Sequence, residues 1–407
     1  MAAPALAQFR IQISGVGATQ IPLVVANFRD EDKAGVSIAG IVRADLYRSG
    51  QFSPSASPVA LDELSNVVDA DWRSRGADAL VAGSVTRLAD GRFDVRFKLW
   101  DVVKGGQLIG QSQTVVAGDL RLAAHRIADE IVLKLTGVRG VNATRIAYVV
   151  RNGRRYTLYI TDADGEGGQV ALASPEPIIS PSWSPDGRQL AYVSFESHHA
   201  VVWVQNLATG SRRQLAGFPG TNSAPAWSPD GKELAVTLSR GGPAQLFIMP
   251  AGGGQPRRLV SSSAIDTEPV FSADGKWIYF VSDRGGAPQI YRVPPSGGNP
   301  ERVTFSGNYN VSPSLSPDAK LMAYIDRAGG AYKLMTQDLE TSAVQALTDT
   351  RDDESPSFAP NGRLIVYATR AQGRNVLMTT TLDGKIKTSL LSSSGEVSEP
   401  AWGPFGR

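Results

Sequence analysis

From about residue 140 onward, short apolar runs alternate with turn-forming residues at a nearly constant interval. A motif of the form Pro-x-apolar-small-Pro-Asp-Gly, complete or degenerate, begins at Pro181, Pro225, Pro269, Pro313, Pro356 and Pro400. Neighbouring copies are 44, 44, 44, 43 and 44 residues apart. A period in the forties that is built from short strands is typical of the four-stranded blades of a β-propeller.

One period contains four apolar segments, each of which is short enough to be a strand. In the period that begins at Pro181 these segments are 182–184, 190–195, 201–207 and 212–215. The second segment is almost continuously apolar, as expected for a strand that is covered on both faces. The fourth carries charge, which an outermost edge strand tolerates. Each period therefore predicts one antiparallel blade, and a connector such as 217–224 leads to the inner strand of the next blade.

The two ends of this region are incomplete repeats that complement each other. The apolar strand at Ile146 to Val150 has no Pro-Asp-Gly turn before it, and the last motif, Pro400 to Gly403, has no strands after it. Pairing of these two strands would complete a blade and remove the free sheet edges. The sequence therefore predicts a six-bladed β-propeller over residues 138–407, closed by pairing of the C-terminal strand with the first blade.

Large apolar residues share one position of the repeat. They are Trp183, Trp227, Phe271, Leu315, Phe358 and Trp402. Such a row could stack against a ligand, but each blade must also bury both of its faces against its neighbours. We therefore interpret this position as packing between blades.

Residues 9–137 lack the repeat, and their apolar periodicity changes from one segment to the next. Strands are predicted at 22–28, 77–88, 93–100 and 107–116. Helices are predicted at 35–49, 61–75 and 119–135. This pattern predicts a separate small α/β domain, with a mixed sheet and helices on one face.

Composition narrows the function classes. The 41 basic and 39 acidic residues nearly balance, so the charge gives no reason to expect nucleic acid as a partner. Cysteine is absent, which excludes disulfides and a cysteine nucleophile, and no apolar stretch reaches the roughly 18 residues of a membrane helix. Ala5, Leu6 and Ala7 before Gln8 have the form of a signal-peptidase site, so we expect residues 1–8 to be the remnant of an export signal.

Candidate catalytic residues are few. The chain has three histidines, His125, His198 and His199, and it lacks the zinc-protease, phosphate-loop, dinucleotide-binding and serine-hydrolase motifs. His198 and His199 lie in one predicted loop without a third ligand, and His125 fits a packing role in a helix. The segment Asp162 to Gly167 partly matches a calcium loop, but Ala173 replaces its last carboxylate, so a hairpin turn is favoured. We expect no catalytic residues, no metal ligands and no required cofactor.

The connectors and the loops between second and third strands are predicted to emerge on one face of the ring, where propellers present their binding residues. The connectors carry small, amide-bearing and acidic residues, and the loops carry Arg240, Arg284, Arg327 and Arg370. Such a polar set suits a hydrated protein interface. Acidic groups at the mouth could alternatively hold calcium in the channel.

Both regions resemble the TolB family. In the propeller the likeness rests on the run Thr144 to Val150, on the blade SPSWSPDGRQLAYVSFES and on the connector FPGTNSAPAWSPDG. In the N-terminal domain it rests on IAGIVRADLYRSGQF at Ile38 to Phe52 and on DEIVLKLTG at Asp129 to Gly137. The resemblance covers nearly the whole chain and is specific, because relatives with a propeller alone lack this N-terminal domain.

The resemblance implies a non-catalytic periplasmic protein of the Tol–Pal system, which supports outer-membrane integrity and envelope constriction at cell division. The propeller mouth would bind the lipoprotein Pal, and bacteriocin translocation segments would compete for that site. Family contact positions carry over onto Thr221, Ala224, Thr267 and Glu268, although relatives can have a histidine at the first of these. Neighbouring connector positions complete the predicted Pal face: Asn222, Asn310, Glu354 and Glu399.

The N-terminal segment is the second implied interface. By resemblance it would bind the C-terminal domain of the inner-membrane protein TolA through Phe9, Arg10, Ile11, Gln12 and Ile13. Alternating apolar residues there could also add as a strand to the edge of a partner sheet. A periplasmic propeller enzyme, a lyase or hydrolase acting in the channel, is the alternative function, and it would need converging histidines or a metal.

Overall fold

A computed structural model describes residues 20–392 and 395–406. The predicted export-signal remnant at 1–8 and the predicted TolA-binding segment at 9–13 lie outside the described residues. Contacts divide the chain into two compact units, and the division falls between Ala143 and Thr144. Residues 138–143 therefore group with the N-terminal unit rather than with the propeller.

The N-terminal unit contains a five-stranded mixed sheet. Its strands are β1 Ile21–Val25, β2 Phe52–Ala56, β3 Ala79–Arg87, β4 Phe93–Asp101 and β5 Gln107–Val115. Their order is β2-β1-β3-β4-β5, with parallel pairing of β1 to β2 and β3 and antiparallel pairing beyond. Strand β2 is not predicted from the sequence, because Pro54 and the small polar residues Ser53 and Ser55 give it no apolar period.

Two long helices cover one face of this sheet. They are α1 at Ile38–Arg48, whose first turn is capped by the Ser37 side chain, and a helix at Leu120–Thr136 that ends at Gly137 with φ 74°. Their apolar faces pack with Leu23, Val25 and Val81 in one continuous core. The left-handed conformation at Gly137 is one that glycine adopts without strain.

The predicted helix at 61–75 is mostly wrong. Only Asp69–Ser74 is helical, and it is α2 in chain order, which makes the Leu120–Thr136 helix α3. The Asp62 side chain accepts a hydrogen bond from the backbone N–H of Leu64 at 2.9 Å and forms a turn instead of starting a helix. Trp72 of α2 packs on the face of the sheet that carries Val24 and Leu80, so helices lie on both faces, not on one as predicted.

Six antiparallel four-stranded sheets form the propeller, which confirms the predicted fold class. We number the blades from the one that contains both ends of this region. Blade 1 has β6 Arg145–Asn152, β7 Arg155–Asp162, β8 Gln169–Ser174 and the closing strand β29 Glu396–Trp402. Blade 2 has β9 Ile178–Trp183, β10 Gln189–Ser194, β11 Val201–Asn206 and β12 Arg212–Ala216.

The closing strand β29 is the innermost strand of blade 1. The remaining blades are given, like blade 2, from the inner to the outer strand. Blade 3 has β13 Asn222–Trp227, β14 Glu233–Leu238, β15 Gln245–Pro250 and β16 Arg257–Arg258. Blade 4 has β17 Asp266–Phe271, β18 Ile278–Ser282, β19 Gln289–Val293 and β20 Glu301–Arg302. Blade 5 has β21 Asn310–Leu315, β22 Leu321–Ala328, β23 Ala331–Asp338 and β24 Val344–Ala346. Blade 6 has β25 Glu354–Phe358, β26 Leu364–Ala371, β27 Arg374–Thr381 and β28 Lys387–Ser392.

The ring closes as predicted. Strand β29 pairs antiparallel with β6, and Trp402 lies opposite Ile146 in the register. The indole N–H of Trp402 also donates to the Thr144 hydroxyl at 2.8 Å, so the last strand is fastened to the start of the first blade.

The shared apolar position of the repeat packs between blades, as interpreted from the sequence. Trp183 and Trp227 are both buried, and each indole N–H donates a hydrogen bond to the backbone of the preceding blade. The acceptors are the carbonyls of Ala401 and Ser182, at 3.0 and 3.1 Å. Each aromatic residue therefore combines apolar burial with one directed contact across the blade boundary.

The Pro-Asp-Gly turns also repeat in detail. In blade 2, the Ser184 hydroxyl donates to the Asp186 carboxylate at 2.6 Å and accepts from the Gln189 N–H at 2.9 Å. The same pattern recurs in blades 3, 4 and 5 at Ser228, Ser272 and Ser316. In these four blades the small residue of the sequence motif thus contributes a hydroxyl to the turn, whereas Ala359 and Gly403 occupy the position in the other two.

Candidate protein-interaction face

The connectors and the loops between second and third strands share one face, as predicted. The Ser239 N–H donates to the Thr221 carbonyl at 3.1 Å, and the Arg327 N–H donates to the Tyr309 carbonyl at 3.0 Å. Each pair joins a loop to the connector of its own blade. We call this surface the connector face.

Every inner strand is irregular where it leaves the connector face. The residue before the repeat proline has a positive φ in all six blades: Ser180 53°, Ala224 47°, Glu268 51°, Ser312 54°, Ser355 49° and Glu399 56°. The pairing register of each inner strand shifts at this position. A non-glycine residue in this conformation is strained, and such strain concentrates at functional sites.

Two of these six residues are glutamates that bridge neighbouring blades. The Glu268 carboxylate accepts a hydrogen bond from the Ser312 N–H at 2.6 Å, and the Glu399 carboxylate accepts one from the Ser180 N–H at 3.3 Å. In both cases the donor is the equivalent residue of the next blade. The side chains thus follow the wall of the channel from one inner strand to the next.

The channel carboxylates are desolvated and repel one another. Burial, together with the charges of Glu354 and Glu268 and against the lowering effect of the Ser180 N–H, raises the pKa of Glu399 to about 7. Burial likewise raises the pKa of Glu268, and partial desolvation at the mouth raises that of Glu354, although Glu354 as a whole residue is exposed. The three carboxylates together therefore make the electrostatic potential at the channel mouth negative.

These carboxylates are the donor type that calcium prefers. Their raised pKa values reflect a negative site that either a cation or a positively charged partner would stabilise. Calcium in the channel stays a prediction.

Two of the predicted contact residues are buried inside the connectors. Asn222 and Asn310 are both 0% exposed. The Asn222 side-chain amide donates to the Phe218 carbonyl at 2.7 Å, and that of Asn310 donates to the Ser306 carbonyl at 2.8 Å. The prediction that they contact a partner directly needs correction: they hold the shape of the connectors, because both residues are buried and their side-chain amide N–H groups donate within the blades.

The other predicted contacts remain accessible. Thr221 and Glu354 are exposed, and Ala224, Thr267, Glu268 and Glu399 are partly exposed. Thr267 and Glu268 are adjacent at the strained position of β17, so both are placed by the same irregularity in the strand.

Buried acidic residues that anchor the connectors were not predicted from the sequence. Asp266 is 0% exposed and accepts from the Arg284 guanidinium at 2.8 Å. Asp353 accepts from the hydroxyls of Thr350 and Thr369 at 2.5 and 2.7 Å. A signal was present in the repeat, since Asn222, Asp266 and Asn310 are 44 residues apart.

The predicted arginine ring is bound largely to its own blades. The Arg240 guanidinium lies 4.6 Å from the ring centroid of Phe218, and that of Arg327 lies 5.9 Å from Tyr309. Arg284 is held by Asp266, as described above. Arg284 is thereby partly buried, whereas Arg240, Arg327 and Arg370 are exposed and keep their charges at the surface.

The histidines do not meet in the channel. His198 and His199 lie in the loop between β10 and β11, where the His198 side chain is 86% exposed. His125 is 0% exposed within α3, and its Nδ1 lies 2.6 Å from a carboxylate oxygen of Asp45. Asp162 to Gly167 forms the turn between β7 and β8, with Gly165 at φ 90°, which agrees with the predicted hairpin.

The fold and the connector face together define the class of protein. It has an N-terminal α/β unit followed by a six-bladed propeller, and the mouth of the propeller channel is acidic and has strained backbone positions. Two family models match the chain, the TolB amino-terminal domain over residues 9–108 and the TolB beta propeller domain over residues 132–406. The chain belongs to the TolB family.

Known relatives agree with this assignment. The Tol-Pal system protein TolB of Polaromonas sp. is 60% identical over 222 residues, 54% of this chain and 52% of the relative. That of Bordetella pertussis is 54% identical over 222 residues, 54% of this chain and 51% of the relative. The matches thus span about half the length of these curated relatives.

A solved structure extends the likeness to both units. The crystal structure of TolB from Acinetobacter baumannii is 40% identical, with a TM-score of 0.89, over 95% of this chain and 97% of that one. In the part of this chain that the structure describes, no helix combines the length and the apolar character needed to cross a bilayer.

Proposed function

We propose that this protein is a non-catalytic periplasmic binding protein of the Tol–Pal system, with the connector face as its site for the lipoprotein Pal. The observation that carries the proposal is the set of strained, partly exposed carboxylates at the mouth. Glu268 and Glu399 are held by inter-blade hydrogen bonds before any partner arrives, which lowers the ordering cost of binding. The similarity to Tol-Pal system proteins supports the choice of partner.

The proposal includes a second interface at residues 9–13, which would bind the C-terminal domain of TolA. Alternating Phe9, Ile11 and Ile13 suit the addition of a strand to a sheet edge. Through Pal the protein would be held at the periphery of the outer membrane and support envelope constriction at cell division. Bacteriocin translocation segments would compete for the connector face, and no nucleic acid is expected as a partner.

The first test is calorimetric titration with the soluble domain of Pal. Glu268→Gln removes the charge but keeps an oxygen that can accept from the Ser312 N–H, so the connector geometry is retained. We expect the variant to bind about ten-fold or more weakly, since a charged contact at an interface contributes roughly 2 kcal/mol or more.

The matched control is Glu340→Gln, because this exposed glutamate lies in the turn between β23 and β24, at the opposite ends of the strands. Its affinity for Pal should equal that of the unmodified protein. Failure of the unmodified protein to bind Pal would refute the proposed partner, and equal binding by Glu268→Gln would refute the proposed contact.

A further inference from the structure

The connector face of blade 4 departs from the repeat in a way that the carboxylates do not explain. Among the propeller residues that the structure describes, four large apolar side chains are exposed: Val170, Ile265, Phe305 and Val344. Val170 and Val344 lie on the outer strands β8 and β24. Ile265 and Phe305 instead lie at the two ends of the connector face of blade 4, exposed by 50% and 72%.

The Phe305 position is polar in both neighbouring blades, where Ser261 and Asp349 lie 44 positions before and after it. The Ile265 position carries Thr221 in the preceding blade and Tyr309 in the following one, and Tyr309 is only partly exposed and lies edge-on against Tyr332. Because the repeat preserves the residues that the fold needs, an exposed apolar residue that breaks it is not required for packing. Exposed apolar groups rimmed by polar ones mark interaction sites.

The fold places Ile265 and Phe305 on one edge. Ile265 directly precedes the inner strand β17, and Phe305 follows the outer strand β20. The loop 283–288 lies between them and is bonded to the inner end, where the Ile265 N–H donates to Asp283 at 2.8 Å. Three strand spacings separate the inner and the outer strand, about 14 Å.

Two arginines complete this edge and are held in place. Arg284 is bound to the buried Asp266, and its guanidinium lies 5.1 Å from the ring centroid of Tyr291. The Arg302 guanidinium lies 5.3 Å from the ring centroid of Phe305, and its Nε donates to the Thr304 carbonyl at 2.6 Å. The exposed aromatic ring is thus preoriented, and the charge presented beside it is positive.

We infer that Ile265, Arg284, Arg302 and Phe305, which we call the blade-4 ridge, form an apolar anchor site for the protein that binds the mouth. The ridge adjoins Glu268, three residues after Ile265, so one partner can occupy both. The matching partner surface presents aliphatic or aromatic side chains flanked by a carboxylate. This inference rests on the proposed function and adds to it the residues that determine which side of the mouth the partner covers.

The ridge differs from the channel carboxylates in what it contributes. Interfaces derive most of their affinity from a few apolar or aromatic anchors, while charged groups mainly set orientation and association rate. Binding through the ridge should therefore persist at high salt, whereas the contribution of Glu268 should decrease there.

The test is calorimetric titration with the soluble domain of Pal, using Phe305→Ser and Ile265→Ser, each of which removes an exposed side chain. We expect Phe305→Ser to weaken binding by roughly ten-fold or more and Ile265→Ser by roughly three- to ten-fold, at both low and high salt. Val170→Ser and Val344→Ser are the matched controls, since they remove exposed valines from the outer strands, and they should bind as the unmodified protein does. Unchanged melting temperatures would show that the propeller is intact.

The outcomes separate the two proposals. If the unmodified protein binds Pal and both ridge variants bind equally well, the ridge inference is overturned while the proposed function stands. If the unmodified protein does not bind Pal, both are overturned. Weaker binding of Pal by the two ridge variants, with unchanged binding by the two valine controls, supports the ridge inference.

Discussion

Asp129 in the N-terminal unit and Glu399 in the propeller are both carboxylates that burial makes harder to ionise. Burial raises the pKa of Asp129 to about 6 and that of Glu399 to about 7. Asp129 accepts three hydrogen bonds, from the Asn142 N–H at 2.8 Å, the Asn142 side-chain amide at 2.9 Å and the Ala143 N–H at 3.0 Å. Glu399 accepts one, at 3.3 Å, and the charges of Glu354 and Glu268 contribute to the rise of its pKa.

The difference indicates what each group is for. The hydrogen bonds of Asp129 fasten residues 142 and 143, where the N-terminal unit ends, so its burial serves the structure. Glu399 remains under-coordinated among like charges at a strained backbone position, which costs stability. Groups that are unfavourable for folding but retained at an exposed mouth are typical of binding sites, where a partner supplies the missing contacts.

The largest effect should come from the packing between blades on which the propeller depends. Trp227→Ala removes a buried indole and its hydrogen bond to Ser182, and should lower the free energy of unfolding of the propeller by ~3–5 kcal/mol. Hydrogen exchange resolved by peptide should show loss of protection in the propeller, with the N-terminal unit unchanged.

Trp277→Ala is the matched control, because Trp277 is only partly buried and stacks on Arg292. It should cost markedly less. A loss below ~1 kcal/mol in Trp227→Ala would show that the repeat position is not core.

Asp129→Asn should have an intermediate effect, confined to the N-terminal unit. The amide loses one acceptor oxygen and places an N–H group against a backbone N–H, at a cost of ~1–3 kcal/mol at pH 7. Because the folded pKa, about 6, lies above the ordinary value of 3.8, the unmodified unit loses stability as the pH rises from about 4 to about 6.

That pH dependence should become flatter in Asp129→Asn, as followed by urea unfolding between pH 4 and 7. Glu130→Gln, one residue further along α3, should keep the slope of the unmodified protein. An unchanged slope in Asp129→Asn would mean that another group titrates in this range.

Glu399→Gln should have the smallest effect on stability and the opposite sign. Its folded pKa, about 7, lies above the ordinary 4.5, so ionisation destabilises the propeller as the pH rises through this range. The variant should gain ~1–2 kcal/mol at pH 8 and nothing at pH 4, with partial access of solvent keeping the gain small. Urea unfolding at the two pH values measures it.

The same substitution should weaken the binding of Pal, although it stabilises the propeller, because it removes a predicted contact to Pal. Glu340→Gln again serves as the control and should alter neither quantity. If Glu399→Gln were destabilising at pH 8, the contrast between a structural and a functional carboxylate would be refuted.

Much of the fold follows from local pattern. The Pro-Asp-Gly spacing, the second-strand apolar runs and the two incomplete end repeats are enough to predict six blades and the pairing of β29 with β6. Helices α1 and α3 follow from their apolar spacing and from glycines at their ends. Strand β2 and the short α2 do not, since β2 is defined by pairing with β1 and α2 by the packing of Trp72.

The candidate site also combines features that the sequence determines with features that depend on the tertiary structure. The sequence by itself determined which residues lie on the connectors, because the turn chemistry and the period of 44 are local properties of the chain. Only the tertiary structure decided that Asn222 and Asn310 point inward. It also decided that Glu354 and Glu268 act on Glu399, and that Ile265 and Phe305 occupy one edge. Residues far apart in sequence meet only when six blades close into a ring, and the burial and mutual repulsion that set their roles arise from that closure.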